Sequence, residues 1–235
     1  MKKVFKFLDK TLDAAIMLVC VLLLLIGAYS IADNLYVYSN ASDKGILAYK
    51  PDMKLPLSES FEVQISPDQI AWLYLYDTNI DYPVMQGEDN FEYLNIDPYG
   101  EFSLGGSIFL DYRCSGDLSD EYSLIYGHHM EHGVMFGSLD DFADRAFFDA
   151  HRGGRIVTKE KAYEIELFAV ASALATERTL FSPVGRTGTQ ITEYLSNNSI
   201  IYTQPEAGLP IIALSTCSGD TLMSRLLVFG VLKPQ

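Results

Sequence analysis

Cysteine and histidine are scarce in this chain, and basic residues are too few to balance the acidic ones. The 235 residues include three cysteines and four histidines, and 17 lysines and arginines face 31 aspartates and glutamates, a net charge of −14 at pH 7. Three cysteines cannot form the dense disulfide framework of a small secreted domain, so a hydrophobic core must stabilise the fold. A content of 49% hydrophobic residues is sufficient for such a core. The negative charge argues against nucleic acid as a partner.

One apolar run stands near the N-terminus and predicts a membrane helix. Residues 14–32 carry no charge and have about the length that a helix needs to cross a hydrocarbon core. The run exceeds the roughly 7–15 residues of a cleavable signal, and its end, Tyr29-Ser-Ile-Ala32, is a poor cleavage site, so we predict an uncleaved signal anchor. The basic head, residues 1–13, then stays in the cytoplasm by the positive-inside rule, and the rest of the chain lies outside the cell.

The remainder divides into a predicted helical stalk or linker, residues 33–60, and one domain, residues 61–235. Short runs rich in aromatic and β-branched residues alternate there with turn signals, which indicates an antiparallel barrel or sandwich. The predicted strands are 70–76, 80–86, 106–112, 122–126, 155–158, 162–170, 211–217 and 225–230.

Two segments of this domain predict helices. Apolar residues recur at helical spacing over 135–148, with Ser138 as a candidate cap and Gly153-Gly154 as the stop. A long connection, residues 176–208, contains a short predicted helix at 189–195. Connections of this length inside a domain are uncommon and often functional.

Cys217 is the candidate nucleophile. It ends a predicted strand and lies between small polar residues, which favours an accessible thiol over a small buried hydrophobe. A structural alternative is a disulfide between Cys114 and Cys217.

His128 and Arg225 are the candidate partners of that thiol. His128 follows Gly127 directly at a strand end, where the chain can turn sharply. Arg225 interrupts an apolar run on the strand after Cys217; it is either a solvent-facing strand-end residue or a fixed cation over a site. A thiol, an imidazole and a guanidinium are together sufficient for covalent acyl transfer. The His128-His129-x-x-His132 spacing resembles metal ligands, but no thiolate pair or acidic motif completes a zinc site, and we predict no metal.

Read in order, these pieces resemble the sortase family of membrane-anchored transpeptidases of Gram-positive bacteria. Leu214-Ser-Thr-Cys217 resembles the TLxTC signature, with Ala213 where threonine is usual, and Gly127-His128 and Arg225 fall at the family's histidine and arginine positions. Four further stretches are similar to class B in particular: Thr78–Gly87, Asn90–Asn95, Gly106–Arg113 and Ile125–Met130. One departure is Cys114, where class B usually has asparagine.

The resemblance implies a mostly β fold with added helices, a closed sortase barrel of about eight strands after the membrane helix. It implies that Cys217 attacks a C-terminal sorting signal to form a thioacyl enzyme, that His128 acts as general acid and then base, and that Arg225 holds the substrate and its oxyanion. The implied groove residues are Asn95, Tyr126, Ser215 and Thr216. No cofactor is implied, because a thioester conserves the energy of the peptide bond.

The implied partners are surface proteins or pilins that carry a sorting signal, and the amine of a lipid-linked peptidoglycan precursor. Transfer to the cell wall is the main expectation, since pilin polymerases usually carry a C-terminal membrane segment that this chain lacks. The alternatives are a class B pilin polymerase that uses a lysine amine, an extracellular cysteine peptidase, and a non-catalytic barrel that binds a surface partner. The peptidase needs a third residue to orient the histidine, and the sequence offers no clear asparagine or aspartate for it.

Overall fold

Two units make up the computed structural model of the chain, residues 1–40 and 41–235. The described residues are 2–41, 44–52, 64–217 and 224–235. The first unit is built on one helix, α1 (Lys2–Ala41). Its segment Lys10–Tyr36 is long and apolar enough to cross a membrane, as the sequence predicted. The helix extends past residue 32 into the predicted stalk, of which residues 53–63 lie outside the described part of the chain.

The described residues of the second unit form nine strands. Their bounds are Gln69–Leu75 (β1), Asp81–Met85 (β2), Ile108–Leu110 (β3), Tyr122–Tyr126 (β4), Gly153–Thr158 (β5), Ala162–Leu174 (β6), Ile201–Tyr202 (β7), Ile211–Cys217 (β8) and Ser224–Pro234 (β9). The strand order is β5-β1-β2-β3-β4-β8-β9-β6-β7, and β5 also pairs with β6. The first eight strands of that order therefore form a closed barrel, which confirms the predicted fold, and β7 pairs with β6 outside the ring.

Both faces of β8 are buried, which explains its nearly continuous apolar sequence. Ile212 and Leu214 belong to one buried cluster, whereas Ile211 and Ala213 belong to a second cluster. The second cluster also contains apolar residues of the long connection, Leu180, Ile191 and Leu195. The connection is thus part of the core around the Cys217 strand.

The long connection forms two helices, α3 (Arg178–Phe181) and α4 (Gly188–Asn198), before β7. Helix α4 includes the predicted 189–195 segment and begins with a capping box between Thr187 and Gln190.

The prediction of a single helix over 135–148 is wrong, because the segment forms two short helices. A 3-10 helix, Gly137–Ala143, is followed by a separate α-helix, α2 (Arg145–Ala150). The break lies at Asp144, whose extended backbone (φ −79°, ψ 126°) ends the first helix and whose side chain accepts a hydrogen bond from the Phe147 amide to cap the second. Ser138 is buried inside the 3-10 helix and does not cap it. Gly153 and Gly154 begin strand β5 instead of stopping the helix.

Candidate active site

Three neighbouring strands, β4, β8 and β9, bring the predicted catalytic residues together at one end of the barrel. Strands β4 and β8 are parallel, with Tyr126 opposite Ser215, and the Gly127 amide donates to the Ser215 carbonyl at 3.1 Å. Each of these partners is followed two residues later by a candidate, His128 after Tyr126 and Cys217 after Ser215.

Arg225 lies at the same end of the barrel, on β9, which pairs with the other side of β8. Strands β8 and β9 are antiparallel, and Cys217 and Arg225 are direct Cα partners. The Arg225 residue is half-buried there. The strand order β4-β8-β9 therefore explains how residues almost a hundred positions apart in sequence come to one place.

His128 is oriented by a backbone carbonyl. Its Nε2 lies 2.7 Å from the carbonyl oxygen of Leu94, the last residue of the 3-10 helix Glu92–Leu94. A carbonyl oxygen can only accept a hydrogen bond, so Nε2 carries the hydrogen and Nδ1 holds the lone pair of the neutral imidazole. The sequence did not reveal this acceptor, because a main-chain carbonyl has no residue-type signature.

Gly127 is required by the close packing just before His128. A Cβ at Gly127 would lie 2.5 Å from Ile108 Cδ1 and 2.7 Å from Phe136 Cδ2. Both neighbours are fully buried and cannot easily yield. The Phe136 amide also donates to the His128 carbonyl at 3.0 Å, which fixes the backbone on the other side of the glycine.

The four predicted groove residues differ in accessibility. Asn95 is exposed and directly follows Leu94. Ser215 and Thr216 are each 1% exposed, and neither hydroxyl has a hydrogen-bond partner within the described residues. Tyr126 is half-buried and packs against Phe109 with ring centroids 5.4 Å apart. Substrate contact by these four residues stays a prediction.

A buried carboxylate, Asp111, lies behind Tyr126 and was not singled out from the sequence. Arg113 binds it through Nε at 2.8 Å and Nη2 at 2.7 Å. The Asn90 amide and the Tyr126 hydroxyl donate to Oδ2 at 2.9 and 3.1 Å. Burial by itself raises the pKa of Asp111, but the hydrogen bonds from Arg113 and Asn90 outweigh it and the pKa is lowered from 3.8. Burial and the nearby Asp111 raise the pKa of Tyr126, so its hydroxyl stays protonated and donates.

Cys114 is a free thiol, 7% exposed. Its carbonyl accepts from Gln86 Nε2 at 2.8 Å. Burial, aided by the charges of Asp111 and Asp120, raises the pKa of the thiol to about 12. Cys114 is therefore protonated at neutral pH, and the disulfide considered from the sequence is not formed.

Solved structures that resemble this fold include class B sortases. No family model matches the chain. It is 39% identical over 107 residues to sortase B of Listeria monocytogenes, a match that covers 46% of this chain and 44% of that protein. The aligned part thus spans less than half the length of this curated relative.

Solved structures match over more of the chain. A class B sortase of Streptococcus pyogenes involved in pilus biogenesis is 38% identical with a TM-score of 0.67, over 72% of this chain and 94% of that one. Sortase B from the type II pilus of Streptococcus pneumoniae is 31% identical with a TM-score of 0.61, over 72% and 94%. The fold and these identities place the chain among the sortases, and it belongs to class B of that family.

Proposed function

We propose that this chain is a membrane-anchored cysteine transpeptidase that cleaves a C-terminal sorting signal and transfers the protein to an amine. The observation that carries the proposal is the meeting of three strand ends, where His128 follows β4, Cys217 ends β8 and Arg225 is the Cα partner of Cys217. Nucleophile, proton carrier and fixed cation are the groups that acyl transfer needs.

In the first step, the Cys217 thiol gives its proton to Nδ1 of His128, and its sulfur attacks a backbone carbonyl carbon of the sorting signal. A C–S bond forms, and the negative charge on the carbonyl oxygen is stabilised by the Arg225 guanidinium, which keeps its charge at any working pH. The C–N bond then breaks, and His128 donates the proton that the leaving amine requires. Because Nε2 is bound to Leu94, the proton is transferred at Nδ1.

In the second step, an amine attacks the thioester carbonyl. His128 Nδ1 removes a proton from the attacking nitrogen, the C–S bond breaks, and His128 passes that proton to the leaving sulfur, which restores the thiol of Cys217 and the neutral imidazole. The thioester conserves the energy of the cleaved peptide bond, so the new amide forms without a cofactor. A peptidase would instead pass the acyl group to water at this step.

The substrates we propose are exported proteins with a sorting signal, and the acceptor is the amine of a lipid-linked cell-wall precursor. Helix α1 supports this assignment, because an anchored enzyme lies where exported chains and lipid-linked acceptors both arrive.

The test uses the full chain in detergent micelles with a quenched library of sorting-signal peptides and a set of amines. Mass spectrometry should detect a thioacyl adduct on Cys217 and, with the right amine, an amide product. Both should vanish in Cys217→Ala. Arg225→Lys should still form the adduct, but more slowly, because it loses about 2–4 kcal/mol of transition-state stabilisation. Cleavage without any amide product would indicate a peptidase, and a wild-type protein without any adduct would contradict the proposal.

A second candidate function is pilin polymerisation. It is favoured by the 38% identity to a class B sortase involved in pilus biogenesis, over 94% of that chain. The two functions differ only in the acceptor, a lysine amine in a folded pilin or the amine of a wall precursor. Competition between a lysine-containing pilin domain and a wall-precursor peptide for one thioacyl enzyme separates them by the product formed.

A further inference from the structure

Asp111 is unusual for its burial. Of the acidic and basic residues whose exposure the structure describes, it alone belongs to the buried set, with 0% exposure. An isolated carboxylate is costly to bury, and such a group persists only when other groups compensate its charge and lone pairs. Arg113 supplies the charge and two side-chain hydrogen bonds, and its own amide donates to Oδ1 at 3.0 Å.

Two further donors connect Asp111 to the strand that leads to His128 and to the segment that contains Leu94, the hydrogen-bond acceptor of His128. The Tyr126 hydroxyl, 3.1 Å from Oδ2, belongs to the strand that ends just before His128. The Asn90 amide, 2.9 Å from Oδ2, lies at the start of the segment that leads to Leu94. The other side of the Asn90 amide group, Oδ1, accepts from the Tyr112 backbone at 3.0 Å, so both its orientation and its position are fixed.

The Asp111 carboxylate thus joins strand β4, which leads to His128, to the segment from Asn90 to Leu94, which carries the acceptor of the imidazole. Those two segments meet in the 2.7 Å bond from His128 Nε2 to the Leu94 carbonyl. Arg113 extends the connection to the Phe181 carbonyl of α3 at 2.9 Å, which ties the network to the core around β8.

We propose that Asp111 is a positioning residue for His128. Its buried carboxylate holds Tyr126 and Asn90 so that the Leu94 carbonyl stays in reach of Nε2, and it thereby selects the tautomer with Nδ1 free for proton transfer. This role rests on the proposed function, in which His128 carries the proton between amines.

The experiment compares Asp111→Asn with Asp117→Asn in the full chain in micelles. Asparagine keeps the shape of the side chain but removes the charge that Arg113 and the other donors bind. Asp117 is the matched control, because it is an aspartate of the same loop whose side chain, among the described residues, bonds to Lys161 at 3.2 Å and to the Ser119 amide and not to the segments around His128.

Two readouts apply. In the ¹⁵N spectrum of histidine-labelled protein, with the His128 signals assigned from His128→Gln, we expect the Nε2–H tautomer in the wild type and in Asp117→Asn, and a mixture of tautomers in Asp111→Asn. In peptide cleavage we expect kcat to fall by about one to two orders of magnitude in Asp111→Asn, with KM within about twofold, because the imidazole is misplaced and not the substrate.

A purely structural Asp111 would lower the melting temperature but leave the tautomer and kcat of the folded protein at wild-type values, and that result overturns the proposal. If Asp111→Asn does not fold, Tyr126→Phe and Asn90→Ala remove the two connecting bonds one at a time without leaving a charge unpaired. Wild-type tautomer populations in both would equally overturn it. The spectrum reports on His128 whether or not the chain transfers acyl groups, so a failure of the proposed function is distinguishable from a failure of this role.

Discussion

At the scale of single residues, Cys114 shows how its surroundings keep a thiol unreactive. It is 7% exposed, and burial raises its pKa from 9.0 to about 12. Only the thiolate is an effective nucleophile, and the raised pKa reduces the thiolate fraction at neutral pH by roughly three orders of magnitude relative to a free cysteine.

We therefore predict that iodoacetamide at pH 7.5 modifies the native protein at Cys217 and leaves Cys114 untouched. Because the pKa is raised, the rate at Cys114 should increase as the pH rises toward 12, and it should reach that of an ordinary cysteine at pH 7.5 when urea unfolds the domain. Peptide mapping by mass spectrometry checks both statements. Rapid modification of Cys114 in native Cys217→Ala would contradict them.

The residues of the candidate site were predictable from sequence to different degrees. Cys217, His128 and Arg225 are rare residue types at strand ends, and their order in the chain resembles one family, so they could be named. Leu94 could not, because it acts through a carbonyl that every residue has. Asp111 lies two residues before Arg113 in a stretch that resembles class B, but its burial and its bond to Tyr126 depend on how β3 and β4 pair.

At the scale of elements, the end of β4 is locked between β3 and the segment that follows His128. Ile108 of β3 and Phe136 both approach Gly127 so closely that only a hydrogen fits at its Cα. The pairing of Phe109 with Tyr126 and of Leu110 with Ile125 leaves β3 little freedom to withdraw.

Gly127→Ala should therefore displace the strand end that carries His128. We expect a loss of about 1–3 kcal/mol in the free energy of unfolding from overpacking, together with lower peptide cleavage. Urea unfolding followed by circular dichroism measures the first quantity.

Gly188→Ala is the matched control for this prediction. A Cβ at Gly188 meets Ile211 Cδ1 at an ordinary 3.7 Å, and the residue begins helix α4. Alanine is favoured over glycine in helices, so this variant should be neutral or slightly stabilised. Equal stability of the two variants would show that the packing around Gly127 can relax.

The elements themselves were predictable where local pattern and tertiary contacts agree. Strand β4 has the predicted bounds, and β8 ends at the predicted cysteine, because their apolar runs are short and bounded by turn signals. The prediction of one helix over 135–148 was wrong because the apolar spacing alone suits a single helix. Asp144, which caps a second helix, interrupts it. Glycine pairs are ambiguous signals, and Gly154 lies in the first pair of residues of β5, where its missing side chain admits Leu75 of β1, 2.5 Å from where a Cβ would stand.

At the scale of the whole molecule, the two units differ in charge and in polarity. Helix α1 contains a 27-residue apolar segment, Lys10–Tyr36, preceded by lysines, whereas acidic residues dominate the rest of the chain. Positive flanking charge on one side of an apolar helix sets its orientation in a membrane.

We predict that the chain resists extraction from bacterial membranes by alkaline carbonate, and that protease added to intact protoplasts degrades the barrel. The control variant replaces Lys2, Lys3, Lys6 and Lys10 by glutamate, which removes the charge that keeps the head inside. Immunoblotting should then show part of the barrel protected from the protease. A wild-type barrel that resists protease until the protoplasts are lysed would contradict the assigned orientation.

Because β8 lies between β4 and β9, the three candidate residues can come together only late in the synthesis of the chain. Translation proceeds from the N-terminus, so the segment with His128 leaves the ribosome well before Cys217, and the strand with Arg225 follows later still. Strand β8 pairs on one side with β4 and on the other with β9, which also pairs with β6 in the closed ring. The proposed nucleophile thus meets its imidazole and its cation only when the latest-made strands have entered the barrel. The proposed transpeptidase is in this way prevented from cleaving other chains while it is itself still being made.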